Sequence, residues 1–353
     1  SKLPDNDPET FKMLSSGRTS GVFQMESAGM TGVCVQMKAE SIEDLTAIIA
    51  LYRPGPMDSI PRFIACKLDP SQIRYLHPSL EPILSVTYGC IVYQEQVMMI
   101  FQQLAGYSLG GADMVRRAIS KKKAKQIEQE REAFIYGDPE RDIKGCVANG
   151  IPENIAKQIY DDIYDFANYA FNKAHAVAYA VVAYQTAYFK CHYTKEYMAA
   201  LLTSVLDNSD KVAGYINECK DCGIALLPPD INRSADRFTV EEGGIRFGLV
   251  AIKNIGRGFI QAVMRERENA PFTSLNDFCS RMIGSDMNKR AVENLIRSGA
   301  FDSFGARRSQ LLEAYEQVVD TIAQNKRKNL EGQFDLFGGG GDEPQSAPEL
   351  HLK

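Results

Sequence analysis

The densest set of side chains able to do chemistry lies between Met114 and Lys125, where Arg116, Arg117, Lys121, Lys122, Lys123 and Lys125 crowd together. Arg117 and Lys121 are four apart, so on a helix they share one face. Guanidinium groups bind phosphate oxygens bidentately and lysine adds a compact charge, so such a face suits a triphosphate. A solvated basic helix surface is the plainer reading of the same run. A second cluster, Phe171-Asn172-Lys173-Ala174-His175, sets an amide, an ammonium and an imidazole at the start of a long helix. Contacts to phosphate or to a base edge are available there, although a capping asparagine beside a satisfied histidine needs no ligand. Asp161, Asp162 and Asp165 spell D-D-x-x-D, a pattern able to clamp magnesium for diphosphate chemistry. Ile155, Ile159, Ile163 and Phe166 mark the apolar face of that helix, however, and leave Asp162 and Asp165 to solvent.

Two later segments carry a different chemistry. Lys253-Asn254-Ile255-Gly256-Arg257-Gly258 and Arg297-Ser298-Gly299 read as glycine hairpins between helical segments. Glycines let backbone N–H groups approach a phosphate closely at the positive end of the next helix. One such hairpin is weak evidence, because glycine often just ends a helix. Two in tandem, with Lys289, Arg290, Arg307 and Arg308 nearby, point to sequence-independent duplex binding. Gln333-Phe334-Asp335-Leu336-Phe337 then offers a glutamine followed by apolar anchors, the form of a short docking peptide; a last turn of helix folded back on the domain is its alternative.

The elements that must position these groups are mostly helical. Asp7-Pro8 reads as a helix start, and Ser41 with Asp44 as a capping box ahead of Leu45, Ile48, Ile49 and Tyr52. Arg53-Pro54-Gly55-Pro56 stops that helix. Cys90–Tyr93 reads as a strand leading into a helix that ends at Gly106, and residues 111–206 read as helices. A composition shift at Leu227-Pro228-Pro229 precedes a hairpin around Gly243-Gly244, after which helices return to about Ala323. The glycine-, proline- and acid-rich end is expected to be disordered. The expected fold is therefore mainly α with short β elements.

Composition narrows the function. Hydrophobic residues make up 44% and charged residues 24% of 353, which supports a packed core and excludes a wholly disordered chain. The net charge of −5 excludes a whole-protein basic footprint, so nucleic-acid binding must come from local clusters. Eight scattered cysteines make no disulfide framework, and the lone Cys219-x-x-Cys222 assembles no zinc site. The chain has no P-loop, G-x-G-x-x-G, H-E-x-x-H or G-x-S-x-G motif. No membrane span or leader is read from it, so a cytoplasmic setting is expected.

Several runs resemble the bacterial replicative DNA polymerase III α subunits, the C-family of DNA polymerases. They are Gly21-Val22-Phe23-Gln24-Met25-Glu26-Ser27, Leu51-Tyr52-Arg53-Pro54-Gly55-Pro56, Tyr88-Gly89-Cys90-Ile91-Val92-Tyr93-Gln94-Glu95-Gln96-Val97, Ala112–Ala118, Phe171–Tyr179 and Leu227–Asn232, in matching order and spacing. The resemblance implies a palm-proximal segment at 1–40 and a helical fingers domain at 41–226. It further implies a small hairpin with a tandem helix-hairpin-helix domain at 227–330, and a clamp-docking peptide and tail at 331–353. By the same resemblance, Arg116, Arg117, Lys121, Asn172, Lys173 and His175 hold the incoming deoxynucleoside triphosphate. Lys253, Gly256, Arg257, Gly258, Arg297, Ser298 and Gly299 touch primer–template DNA, and Gln333–Phe337 dock on the sliding clamp; other replisome subunits are implied partners. The family works by two-metal (Mg2+) chemistry at palm carboxylates. These are expected to precede Ser1, so the chain alone is expected to bind no cofactor and to extend no primer. A non-catalytic DNA-binding and clamp-tethering module is the rival reading, and a magnesium site at Asp161 a third.

Overall fold

Capping chemistry sets the first helices. The Asp7 carboxylate accepts the Thr10 amide at 2.8 Å and Pro8 holds the first helical position, which starts α1 (Pro8–Ser15). Ser27 caps α2 (Ala28–Met37) and Ser41 caps α3 (Ile42–Leu51), while the Asp44 carboxylate reaches back to the Glu40 amide at 2.9 Å. The Arg53–Pro56 turn ends α3 and leads by a 3₁₀ turn into α4 (Ile60–Leu68). The computed structural model describes residues 3–120, 124–167 and 169–332. α5 (Glu81–Leu84), α6 (Gln94–Ala105), α7 (Leu109–Ser120), α8 (Ala124–Tyr136), α9 (Glu153–Ala167) and α10 (Lys173–His192) follow. The chain then divides into two compact units between His192 and Tyr193.

The first unit has two cores. One joins α1–α4 to α10, and there Ala176, Ala180, Ala183 and Ala187 are fully buried. Small side chains at that spacing let α10 lie close against α3, as ridge-and-groove packing requires. The other gathers α5–α9 around Phe101, Phe134 and Tyr160, whose rings meet edge-on or tilted. Ile159 and Ile163 are buried in it, as the spacing predicts. α6 closes at Gly106 in the left-handed conformation, φ +82°. Cys90–Tyr93, expected as a strand, forms only an isolated parallel bridge, Tyr93 to Phe171, because the facing segment turns at once into α10.

The second unit begins with α11 (Thr194–Ser204) and α12 (Ser209–Asp221), then β1 (Leu226–Leu227), β2 (Thr239–Glu241) and β3 (Gly244–Arg246). The hairpin pairs antiparallel as expected, with Val240 opposite Ile245. β1 adds to the other edge of β3 in parallel, Leu226 opposite Ile245, so the sheet order is β1-β3-β2. The composition shift at Leu227 predicts a domain boundary there, but the compact units part earlier. Met198 and Leu202 of α11 and Tyr215 and Cys219 of α12 share one core with Phe238 and Ile245, which ties both helices to the sheet. α13 (Arg257–Asn269), α14 (Leu275–Met282), α15 (Lys289–Ser298) and α16 (Arg308–Gly332) complete the unit around Phe278, Leu295 and Phe301.

All eight cysteines are free, and burial pushes the Cys34, Cys146 and Cys279 thiols up to about 12, so they act as small core side chains. Among the described residues no helix is long and apolar enough to cross a membrane.

Candidate functional site

Four stretches far apart in sequence meet at the start of α10. Phe171 and the segment before α6 exchange backbone bonds: the Phe171 amide donates to the Val92 carbonyl at 3.3 Å, and the Gln94 amide donates to the Phe171 carbonyl at 2.9 Å. The Glu95 carboxylate accepts the Lys173 amide at 3.0 and 3.2 Å, a negative charge placed at the positive end of α10. Asn172 is the helix cap, its Oδ1 accepting the His175 amide at 2.8 Å. Lys173 lays its ammonium 5.3 Å from the centre of the Tyr93 ring. Arg53, delivered by the turn after α3, donates to the Ala50 and Tyr169 carbonyls at 3.1 and 2.7 Å. Its guanidinium lies 4.1 Å from the Phe171 ring centre, and burial pulls its pKa below the ordinary guanidinium value. Gly55 makes this turn possible: its φ is +101°, and a Cβ there would lie 2.4 Å from the Tyr169 ring.

The basic helix is anchored differently. Asp113 holds both arginines: its Oδ1 accepts from Arg116 at 2.7 and 3.0 Å, and its Oδ2 pairs with Arg117 at 2.8 Å. The Arg116 hydrogen bonds hold the Asp113 carboxyl well below the usual carboxylate range. Arg117 stays largely exposed while Arg116 is half-buried. α6 and α7 pack as neighbours joined by residues 106–108. Lys121 lies outside the described residues.

Of the two hairpins, the first has the open geometry expected of a phosphate cradle. No side chain caps α13 at Gly256, and Gly256 and Gly258 each face open space where a Cβ would stand. Lys253 and Arg257 are exposed on either side. The segment before it is a single 3₁₀ turn, Leu249–Ala251, and not the helix expected, because Gly248 and the Asn254 φ of +63° bracket a tight loop. The second hairpin differs more. Gly299 caps α15 in the left-handed conformation and its amide donates to the Ile296 carbonyl at 3.0 Å, while the Ser298 hydroxyl donates to the Leu295 carbonyl at 2.9 Å. Arg297 pairs with Glu293 at 2.8 Å. A 3₁₀ turn, Asp302–Phe304, intervenes before α16, so Gly299 does not open onto the next helix's first turn.

The model of the bacterial DNA polymerase III alpha subunit finger domain matches residues 1–142, and that of the helix-hairpin-helix motif matches residues 223–311. The chain is 44% identical to the DNA polymerase III subunit alpha of Bacillus subtilis (strain 168), over 91% of this chain and 28% of that protein. It is also 44% identical to that of Thermus aquaticus, over 95% and 27%, and 42% identical to that of Pseudomonas aeruginosa, over 98% and 31%. The chain belongs to the DNA polymerase III α-subunit family. It spans between 27% and 31% of the length of these relatives. As an α-subunit segment it is a mainly helical fingers region followed by a small sheet and helix-hairpin-helix elements.

Among the described residues no group of three or more His, Cys, Asp and Glu stands where it could hold a metal ion. In the D-D-x-x-D run, Asp161 pairs with Arg131, and burial raises the Asp162 carboxyl pKa. Gln333, Phe334, Asp335, Leu336 and Phe337 lie outside the described residues. Residue spacing alone missed Arg53, Glu95, Phe23 and Tyr179 as neighbours of the α10 start. The i, i+4 spacing of Phe171, His175 and Tyr179 could have flagged Tyr179, whereas nothing local marks Arg53 or Glu95.

Proposed function

We propose that this chain is the part of a DNA-directed DNA polymerase that grips the incoming deoxynucleoside triphosphate and the primer–template duplex and docks on a sliding clamp. The observation that carries this reading is the sharing of Asp113 by Arg116 and Arg117. A half-buried carboxylate that positions two guanidinium groups is a counter-ion that a triphosphate can replace, giving two charge-assisted contacts already oriented. The α-subunit relatives are DNA polymerases by name, and the open N-terminus of α13 suits backbone contacts to duplex phosphates. The chain by itself extends no primer, since the carboxylates for metal chemistry belong to the palm. Fluorescence anisotropy of a labelled primer–template duplex at several salt concentrations tests the grip: binding should ignore sequence and weaken steeply with salt. Absence of binding at low salt would discard it for the chain alone. A templated-extension assay with this chain should stay blank, and metal-dependent incorporation would overturn the division of labour.

The open α13 start also favours a second reading, a DNA-binding and clamp-tethering module without a nucleotide site. The two separate at Arg116 and Arg117, which a pure tether does not need.

A further inference from the structure

The D-D-x-x-D run of α9 lies against a cavity that neither the nucleotide grip nor the duplex grip uses. Asp161 pairs with Arg131, whereas Asp162 and Asp165, three apart and so on one helix face, line a cavity of about 310 Å³. The cavity lies between the two cores of the first unit. Leu80, Leu84, Ile100 and Ile159, all buried in the α5–α9 core, form its floor. Arg62 of α4, on the side of the other core, lines the same cavity and is exposed with the two carboxylates at its mouth. Among the described residues Arg62, Asp162 and Asp165 make no hydrogen bond and no ion pair. Burial raises the Asp162 carboxyl pKa and the Arg62 charge draws it partly back, so the two are neighbours without contact. Arg74, whose guanidinium donates to the Ser71 and Ile73 carbonyls, adds a second positive charge to the lining.

We propose that this cavity binds a free α-amino acid with an apolar side chain, its carboxylate on Arg62, its ammonium on Asp162 and Asp165, and its side chain on the leucine and isoleucine floor. Charge decides the class. Two guanidinium and two carboxylate groups line the cavity, so it has no net charge. A triphosphate would meet Asp162 and Asp165, and a divalent metal ion would meet Arg62 and Arg74. A hydrocarbon would cover the floor but leave charges of both signs unpaired beside it, where water is scarce and unpaired charge is costly. A zwitterion answers both signs at once, and a guanidinium takes a carboxylate in two parallel hydrogen bonds. Volume sets the size: ligand cavities span about 300–1,000 Å³, and this one lies at the small end, enough for one amino acid and not for a long peptide. An occupant held by α4 and α9 together ties one core to the other. The assignment stands apart from the nucleotide grip and does not rest on it.

The test is isothermal titration calorimetry of this chain with L-phenylalanine. Binding should saturate with a dissociation constant of about 1 mM or below. Phenylalaninamide lacks the carboxylate, hydrocinnamate lacks the ammonium and glycine lacks the side chain. Each should bind at least about 10-fold more weakly, the worth of one charge-assisted contact or one buried ring. Arg62→Gln should bring phenylalanine down to the level of its amide. Asp162→Asn with Asp165→Asn should bring it down to the level of hydrocinnamate. These side chains are exposed, and thermal melts check that the variants fold. Should a variant fail to fold, the analogue series on the wild type decides alone. No saturation at about 20 mM, equal binding of the analogues, unchanged affinity in folded variants, or displacement by thymidine triphosphate would each overturn the assignment.

Discussion

The Lys190 ammonium donates to the Ser20 carbonyl at 2.8 Å from a side chain with no exposed surface, so the last turn of α10 holds the start of the Gly21–Ser27 loop. The same helix carries His175 and Tyr179 at its other end. One rigid element thus sets both sides of the site at the α10 start.

Replacing this lysine should be costly. Lys190→Met keeps most of the volume but leaves the Arg18 and Ser20 carbonyls without their buried donor, which costs about 1–3 kcal/mol. Urea unfolding of the chain should show that loss. A midpoint equal to the wild type would mean that solvent reaches these carbonyls.

Arg116→Ala in the full-length enzyme should raise the nucleotide Michaelis constant or slow incorporation by about 10- to 100-fold, the worth of a charge-assisted contact. Steady-state kinetics on a primed template would read it. Unchanged values in both parameters would remove Arg116 from the nucleotide site.

Gly256→Ala separates folding from binding. Nothing lies within 4 Å of its Cβ position, so the thermal midpoint should stay within about 2 °C of the wild type. Duplex affinity should fall severalfold if the backbone approaches a phosphate there. Gly244→Ala is the contrasting control: a Cβ there would meet the Ala225 carbonyl oxygen at 2.1 Å, and the sheet should not form.

The second unit should carry an acid-sensitive pair. Two Arg246 contacts to Glu241, at 2.9 and 2.8 Å, hold this carboxyl below its ordinary value. A depressed folded-state pKa contributes stability that is present above the unfolded value of about 4.3 and lost as pH falls through the folded one. Glu241→Gln should cost about 1–3 kcal/mol at pH 7 and flatten the acid limb of stability between about pH 5 and 3. Denaturant titrations across that range would show parallel wild-type and variant curves if the pair contributes nothing.

Gln333→Ala with Phe337→Ala should weaken binding to a sliding clamp by about 2–4 kcal/mol, as lost anchors do. Unchanged affinity in surface plasmon resonance would discard the docking peptide.

Features whose cause lies within four residues were legible in the sequence. The Asp7 and Ser41 caps, the Arg53–Pro56 stop, the Gly106 end and the Gly243-Gly244 hairpin are decided by local dihedral preference and short hydrogen bonds, and all stand where their residues predict. The resemblance carried by the motif runs was legible too, because chain order preserves it. Residues 21–27, 51–56, 88–97 and 171–179 meet only through packing, and a single chain read in order has no signal for which carboxylate answers which amide. Glu95 under Lys173 and Arg53 over Phe171 are such pairs. The strand β1, two residues long, is stabilised by its parallel partner and not by its own propensity. Helices α11 and α12 join the second unit because Phe238 and Ile245 supply the surface that their apolar faces need, a surface built from residues that follow them in the chain.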